Sequence, residues 1–134
     1  MALVACLDTR FYFAHALEKN PWMDQVLDQA HLSSSRIVSS TITIAELISN
    51  MGSKIGLETV QLRIRSAKNH GVEFIPLSED IASRAGEIAL RIRDLPLADA
   101  IIAATALSLV QGRVYTDDPH FASIPGIQPL WGRT

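Results

Sequence analysis

A repeated alternation of short apolar segments with helix-patterned stretches restricts the fold of this chain more than any other feature. "ALVACLD", residues 2 to 8, is nearly continuous in apolar residues, the pattern of a strand buried on both faces. "RIVSS", "VEFIPL" and "RVYT" repeat it further along, and "IQPLW" is a weak fifth. Pro129 lacks an N–H for a ladder and places that last segment at a sheet edge. Between the strands lie helices. "PWMDQVLDQA" has Asn20 in the capping position, Pro21 at the first helical position, and an inward stripe of Met23, Val26, Leu27 and Ala30. "TITIAELISNM" follows the second strand, and the next stripe, Leu57, Val60, Ile64 and Ala67, stops near Gly71. Ser78 caps a helix striped by Ile81, Ala85, Ile88 and Ile92 that ends before Pro96, and "ADAIIAATALSLV" is apolar nearly all round. Strands and helices in this order call for right-handed crossovers and a parallel sheet covered on both faces.

The chain of 134 residues is expected to form one domain over 1–134. An apolar fraction of 48% with 19% charged residues excludes a disordered chain. Asp8 and Arg10 interrupt the N-terminal apolar run, which also lacks a basic leader, so neither a membrane span nor a signal peptide is expected. The single cysteine, Cys6, forms no internal disulfide and is expected to be a buried, inert thiol, in keeping with a reducing cytoplasmic location. A formal net charge of −2 argues against a high-affinity, sequence-independent nucleic-acid binder. It leaves open an enzyme whose bound cations neutralise phosphate.

In open parallel sheets, sites gather at the carboxyl ends of the strands. Acidic residues stand at those places. Asp8 ends the first strand, Glu46 is expected in the first turn of the helix after the second, Asp99 opens the buried helix, and Asp117 and Asp118 end the fourth strand. Each has a local structural explanation. Thr43 and Glu46 have capping-box spacing, Asp99 suits the positive end of a helix dipole, Asp8 suits an N-cap, and Asp118-Pro119 suits a turn. Their combination is harder to explain so. Carboxylates gathered at one sheet edge repel, at least one would take up a proton, and apart from Arg10 no lysine or arginine in these segments is placed to pair with them. A hard divalent cation with oxygen ligands, Mg2+ or Mn2+, relieves that repulsion. His15, His31, His70 and His120 fall at unrelated places, with no zinc-like spacing.

"LDT" at 7–9, "TIAEL" at 43–47, "LADAIIAATA" at 97–106 and "TDDPHF" at 116–121 resemble, in order and spacing, the PIN-domain ribonucleases, and most closely the VapC-type toxins of toxin–antitoxin pairs. The resemblance implies a three-layer α/β/α sandwich with a central parallel sheet of four to five strands. It also implies an endoribonuclease for single-stranded RNA that depends on Mg2+ or Mn2+ and leaves a 5′-phosphate, an antitoxin partner, and a homodimer. Asp8, Glu46 and Asp99 match three of the family's acids, and Thr116 and Phe121 select Asp118 as the fourth, with Asp117 auxiliary. Asp8, Asp99 and Asp118 would hold the cation, with Glu46 set to orient or deprotonate a water. The Thr9 and Thr116 hydroxyls are candidates for bonds that hold the carboxylates in place. Arg10, where the family often has a small or apolar residue, could clamp phosphate or pair with an acid. A PIN-fold RNA-processing nuclease without a toxin role, or a non-catalytic binding module, are the alternatives. A haloacid-dehalogenase-type phosphatase needs a second aspartate where Arg10 stands, and a receiver domain needs a lysine after its last strand, where this chain has none. Trp22 lies off its helix's stripe, facing either a partner or the margin of the core.

Overall fold

Five parallel strands in the order β3-β2-β1-β4-β5 form the central sheet. They belong to a computed structural model of the chain that describes residues 2–132. The strands are β1 (Val4–Leu7), β2 (Arg36–Ser40), β3 (Glu73–Ile75), β4 (Arg113–Tyr115) and β5 (Gln128–Leu130). The helices are α1 (Thr9–Glu18), α2 (Pro21–Gln29), α3 (Thr41–Ile55), α4 (Leu57–His70), α5 (Glu79–Arg91) and α6 (Leu97–Leu109), with a 3-10 turn at Pro119–Ser123. The three-layer expectation holds. The weak fifth strand is real and lies at the edge, where Pro129 pairs in register with Val114.

Strand alternation divides the core in two. Ala5, Leu7, Ile37 and Tyr115 point to the face covered by α1 to α4, where Phe11, Met23, Leu47 and Val60 pack. Cys6, Val38 and Val114 point to the other face, against α5 and α6. Burial holds the Cys6 thiol well above its ordinary pKa, so it stays protonated and inert as expected. Helix α6 is enclosed by its small residues: Ala100, Ala103, Ala104 and Ala106 are all at zero exposure. With Ile101 and Ile102 buried beside these alanines, the helix packs against β1, β2 and β4 and brings its N-terminus to the carboxyl edge. Gly112 is required where the chain turns into β4. Its φ is +76°, and an added Cβ would collide with the Gly126 carbonyl oxygen.

Some local expectations change. Leu57 is half exposed, because α4 begins there and its first turn overhangs the core. Asn20 occupies the cap of α2 but its side chain makes no capping bond. Trp22 turns inward to the aromatic cluster of Phe11, Tyr115 and Trp131. No helix among the described residues is long and apolar enough to cross a membrane.

Candidate active site

The chain reverses its direction of travel across the sheet between β1 and β4, and the crevice at their carboxyl ends is the switch point. Asp8 follows β1 there and Thr116 follows β4. Their side chains meet: the Thr116 hydroxyl donates to Asp8 Oδ2 at 2.6 Å and accepts from the backbone N–H of Asp118 at 3.0 Å. Asp8 Oδ1 accepts from the Thr9 backbone N–H at 2.7 Å, which makes Asp8 the N-cap of α1. These contacts leave Asp8 only 2% exposed.

Glu46 reaches the same edge by a different route from the one its spacing suggested. The cap of α3 is Ser40, whose Oγ accepts from the Ile42 backbone N–H at 3.1 Å, so Glu46 lies in the second turn and there is no Thr43–Glu46 capping box. Ser40 wins because the helix starts directly at the end of β2, before Thr43 can serve as a cap. The Thr43 hydroxyl is buried and lies 3.1 Å from the Thr9 hydroxyl, which donates to Glu46 Oε1 at 2.7 Å. A chain of two hydroxyls from α1 and α3 thus holds the half-buried carboxylate.

Asp99 stands in the first turn of α6, and Asp118 caps the 3-10 turn by accepting from the His120 backbone N–H at 2.9 Å. The two carboxylates approach one another around His120. The ring Nδ1 of His120 lies 2.9 Å from Asp118 Oδ1 and 3.5 Å from Asp99 Oδ2. One ligand atom from each of these three residues falls within 4.8 Å of the other two. His120 is a site residue that sequence spacing missed. The available signal was the Asp-Pro-His turn, in which an aspartate side chain bonds back to the residue two places on.

The electrostatics record the crowding. Burial first, and then the charges of Glu46 and Asp118, push the Asp8 carboxyl up to about 6, against the opposing bonds from Thr116 and Thr9. Burial, Asp118 and Asp8 push Asp99 up to about 7, with His120 opposing and Glu46 adding to the rise. Asp99 Oδ2 is buried and has no hydrogen-bond partner among the described residues, an expensive condition for a group that is to carry charge. A cation would satisfy that oxygen. The donors are predominantly hard carboxylate oxygens, which suit Mg2+ or Mn2+, so the residues present fit such an ion.

Asp117 does not join this cluster. It turns to the rim and pairs with Arg10, Nε to Oδ1 at 2.7 Å and Nη2 to Oδ2 at 3.4 Å. The pair is exposed, and the proximity of Asp117, then of Asp118 and Asp8, raises the Arg10 pKa. Asp8 and Glu46 thus lie near enough to Asp99 and Asp118 for their charges to act on one another. Among the described residues it is Asp99, Asp118 and His120 whose ligand atoms converge within 4.8 Å, and Asp117 stays with Arg10 at the margin.

A family model described as the PIN domain matches residues 5–127. Among solved structures, the VapBC2 complex of Rickettsia felis bound to a fragment of promoter DNA is similar at 18% identity and a TM-score of 0.79, over 96% of this chain and 98% of that one. VapBC-1 from nontypeable Haemophilus influenzae is 25% identical with a TM-score of 0.73, over 98% of both chains. VapC20 of Mycobacterium tuberculosis, a Sarcin-Ricin loop cleaving toxin, is 17% identical with a TM-score of 0.70, over 93% of this chain and 99% of that one. No curated protein matches the sequence.

Proposed function

This chain belongs to the PIN domain family, and from that premise we propose that it is a metal-dependent endoribonuclease that cuts single-stranded RNA as the toxin of a toxin–antitoxin pair. The observation that carries the proposal is the gathering of four acids, from the end of β1, from α3, from the start of α6 and from the turn after β4, whose charges act on one another so that two carboxyls are pushed up to about 6 and about 7. A purely structural use of these residues would leave them paired or solvated. Here Asp99 Oδ2 is buried without a hydrogen-bond partner among the described residues. The toxin assignment is supported by the VapBC complexes that share the fold, and RNA as substrate by the Sarcin-Ricin loop cleaving neighbour.

Asp8, Asp99 and Asp118 would hold Mg2+ or Mn2+, with one domain over residues 1–134 carrying the activity. When bound, such an ion supplies positive charge against a phosphate oxygen and a more acidic water. Glu46 accepts a proton from the attacking water, because the Thr9 hydroxyl fixes Oε1 and with it the plane of the carboxylate. Thr116 keeps Asp8 oriented and couples it to the turn that presents Asp118. Arg10, half exposed at the rim, meets an RNA phosphate while Asp117 limits how far it swings. Water adds to phosphorus as the P–O3′ bond breaks, and the departing 3′-oxygen takes a proton from solvent, so the products carry a 5′-phosphate and a 3′-hydroxyl. A cognate antitoxin silences the site, and two copies of the chain form the active toxin.

The test is cleavage of a labelled single-stranded RNA by purified protein with Mg2+, with Mn2+, and with excess chelator. Cleavage that needs either ion and is lost in Asp99→Asn is expected. Undiminished cleavage in chelator, or a fully active Asp99→Asn, overturns the proposal.

A further inference from the structure

We infer that His120 is a nitrogen ligand of this centre, which gives the site a mixed nitrogen–oxygen donor set that favours Mn2+ over Mg2+. The inference rests on the metal-centre reading above, but not on any particular RNA or on a toxin role.

Geometry is the first support. His120 Nδ1, Asp118 Oδ1 and Asp99 Oδ2 converge, at 2.9 and 3.5 Å from the ring nitrogen to the two oxygens. The three residues supply ligand atoms that all lie within 4.8 Å of one another, a spread one ion can bridge. The second support is the state of one of these oxygens. Asp99 is 9% exposed, and its Oδ2, the oxygen facing His120, is buried without a hydrogen-bond partner among the described residues. That acceptor, with only the His120 ring nitrogen facing it at 3.5 Å, is completed by a cation that the two groups share.

The backbone places His120 firmly. Its N–H is bound by Asp118 Oδ1, its carbonyl accepts from the Ser123 hydroxyl at 2.9 Å, and the adjacent Phe121 is fully buried. The side chain itself is 49% exposed and can turn its ring to fit an incoming ion without disturbing the core. Mg2+ takes oxygen donors and keeps its waters, so a nearby imidazole adds little to its binding. Mn2+, a first-row ion, gains more from a neutral imidazole nitrogen. The competing role for His120 is that of a stand-in cation, an imidazolium that neutralises Asp99 and Asp118 and must leave before an ion enters. The two roles differ in sign: removal of a ligand weakens Mn2+ binding, and removal of a stand-in strengthens it.

The experiment is pulsed electron paramagnetic resonance of Mn2+ added to the full chain, with Mn2+ affinity from titration and Mg2+ affinity from competition. Wild type, His120→Ala, His120→Gln and the control His70→Ala are compared after thermal melts establish that each is folded. Nitrogen modulation from a coordinated imidazole is expected in wild type and His70→Ala, and absent in both His120 variants. Mn2+ affinity should fall about tenfold or more in the His120 variants, and Mg2+ affinity far less. Bound Mn2+ with no nitrogen coupling in wild type, or tighter binding in His120→Ala, overturns the inference and leaves the carboxylate centre standing. Failure of wild type to bind Mn2+ at all overturns both.

Discussion

Without a cation, the crowded carboxylates should make the fold less stable as pH rises from 5 to 8. Asp8 titrates near 6 in the folded chain against an ordinary value of 3.8, so the folded state holds its proton more tightly than the unfolded state does. The favourable contribution is therefore complete below pH 3.8 and is lost as pH rises through 6. The whole shift corresponds to about 3 kcal/mol, of which about 1.4 kcal/mol disappears between pH 5 and 8. Asp99, pushed up to about 7, acts in the same direction and extends the decline above neutrality. For a chain of this length about 1 kcal/mol corresponds to about 4 °C in Tm, so Asp8 alone predicts a fall of about 6 °C. The measurement is a series of thermal melts or urea titrations across pH 5 to 8 in chelator, repeated with millimolar Mg2+ or Mn2+. An ion held by the charged carboxylates should restore stability most at the alkaline end, by about 2.7 kcal/mol when present at a hundred times its Kd. Stability in chelator that is flat or rises across this range would refute the electrostatic reasoning, and with it the claim that these acids await a cation.

Two further outcomes follow from the hydrogen bonds and ion pairs at the edge. Asp118→Asn should reduce single-turnover RNA cleavage by orders of magnitude, because Asp118 faces Asp99 and His120, whereas Asp117→Asn should cost far less, since it frees only Arg10 at the rim. The reverse ranking in the same assay would move the site by one residue. Thr116→Val removes the hydroxyl that donates to Asp8 and accepts from the Asp118 backbone, and should weaken Mn2+ binding about 10- to 100-fold in calorimetric titration while the protein stays folded. Unchanged affinity would reduce Thr116 to a packing role.

Periodicity by itself determined most of the secondary structure, because burial on a strand or a helix face is a local pattern of apolar residues. "ALVACLD" became a strand buried on both faces, and Met23, Val26 and Leu27, continued by Ala30 at the C-cap, became the inward stripe of α2. The placing of Asp8, Asp99 and Asp118 at element ends was equally local, and a parallel sheet brings such ends to one edge. Helix starts were less legible. Ser40, Thr41 and Thr43 are all able to cap α3, and only the place where β2 releases the chain decides that Ser40 does so and that Glu46 sits a turn further in. Contacts between distant segments needed the tertiary structure. Arg10 and Asp117 are 107 residues apart and meet because β1 and β4 are neighbours. His120, which has no metal-like spacing to any other histidine, is carried to Asp99 by the turn that Asp118 caps. The physical reason is common to both. Side-chain periodicity reports which way a residue faces within its own element, while the identity of what it faces is set by strand order and by the close approach of α6, neither of which any local window contains.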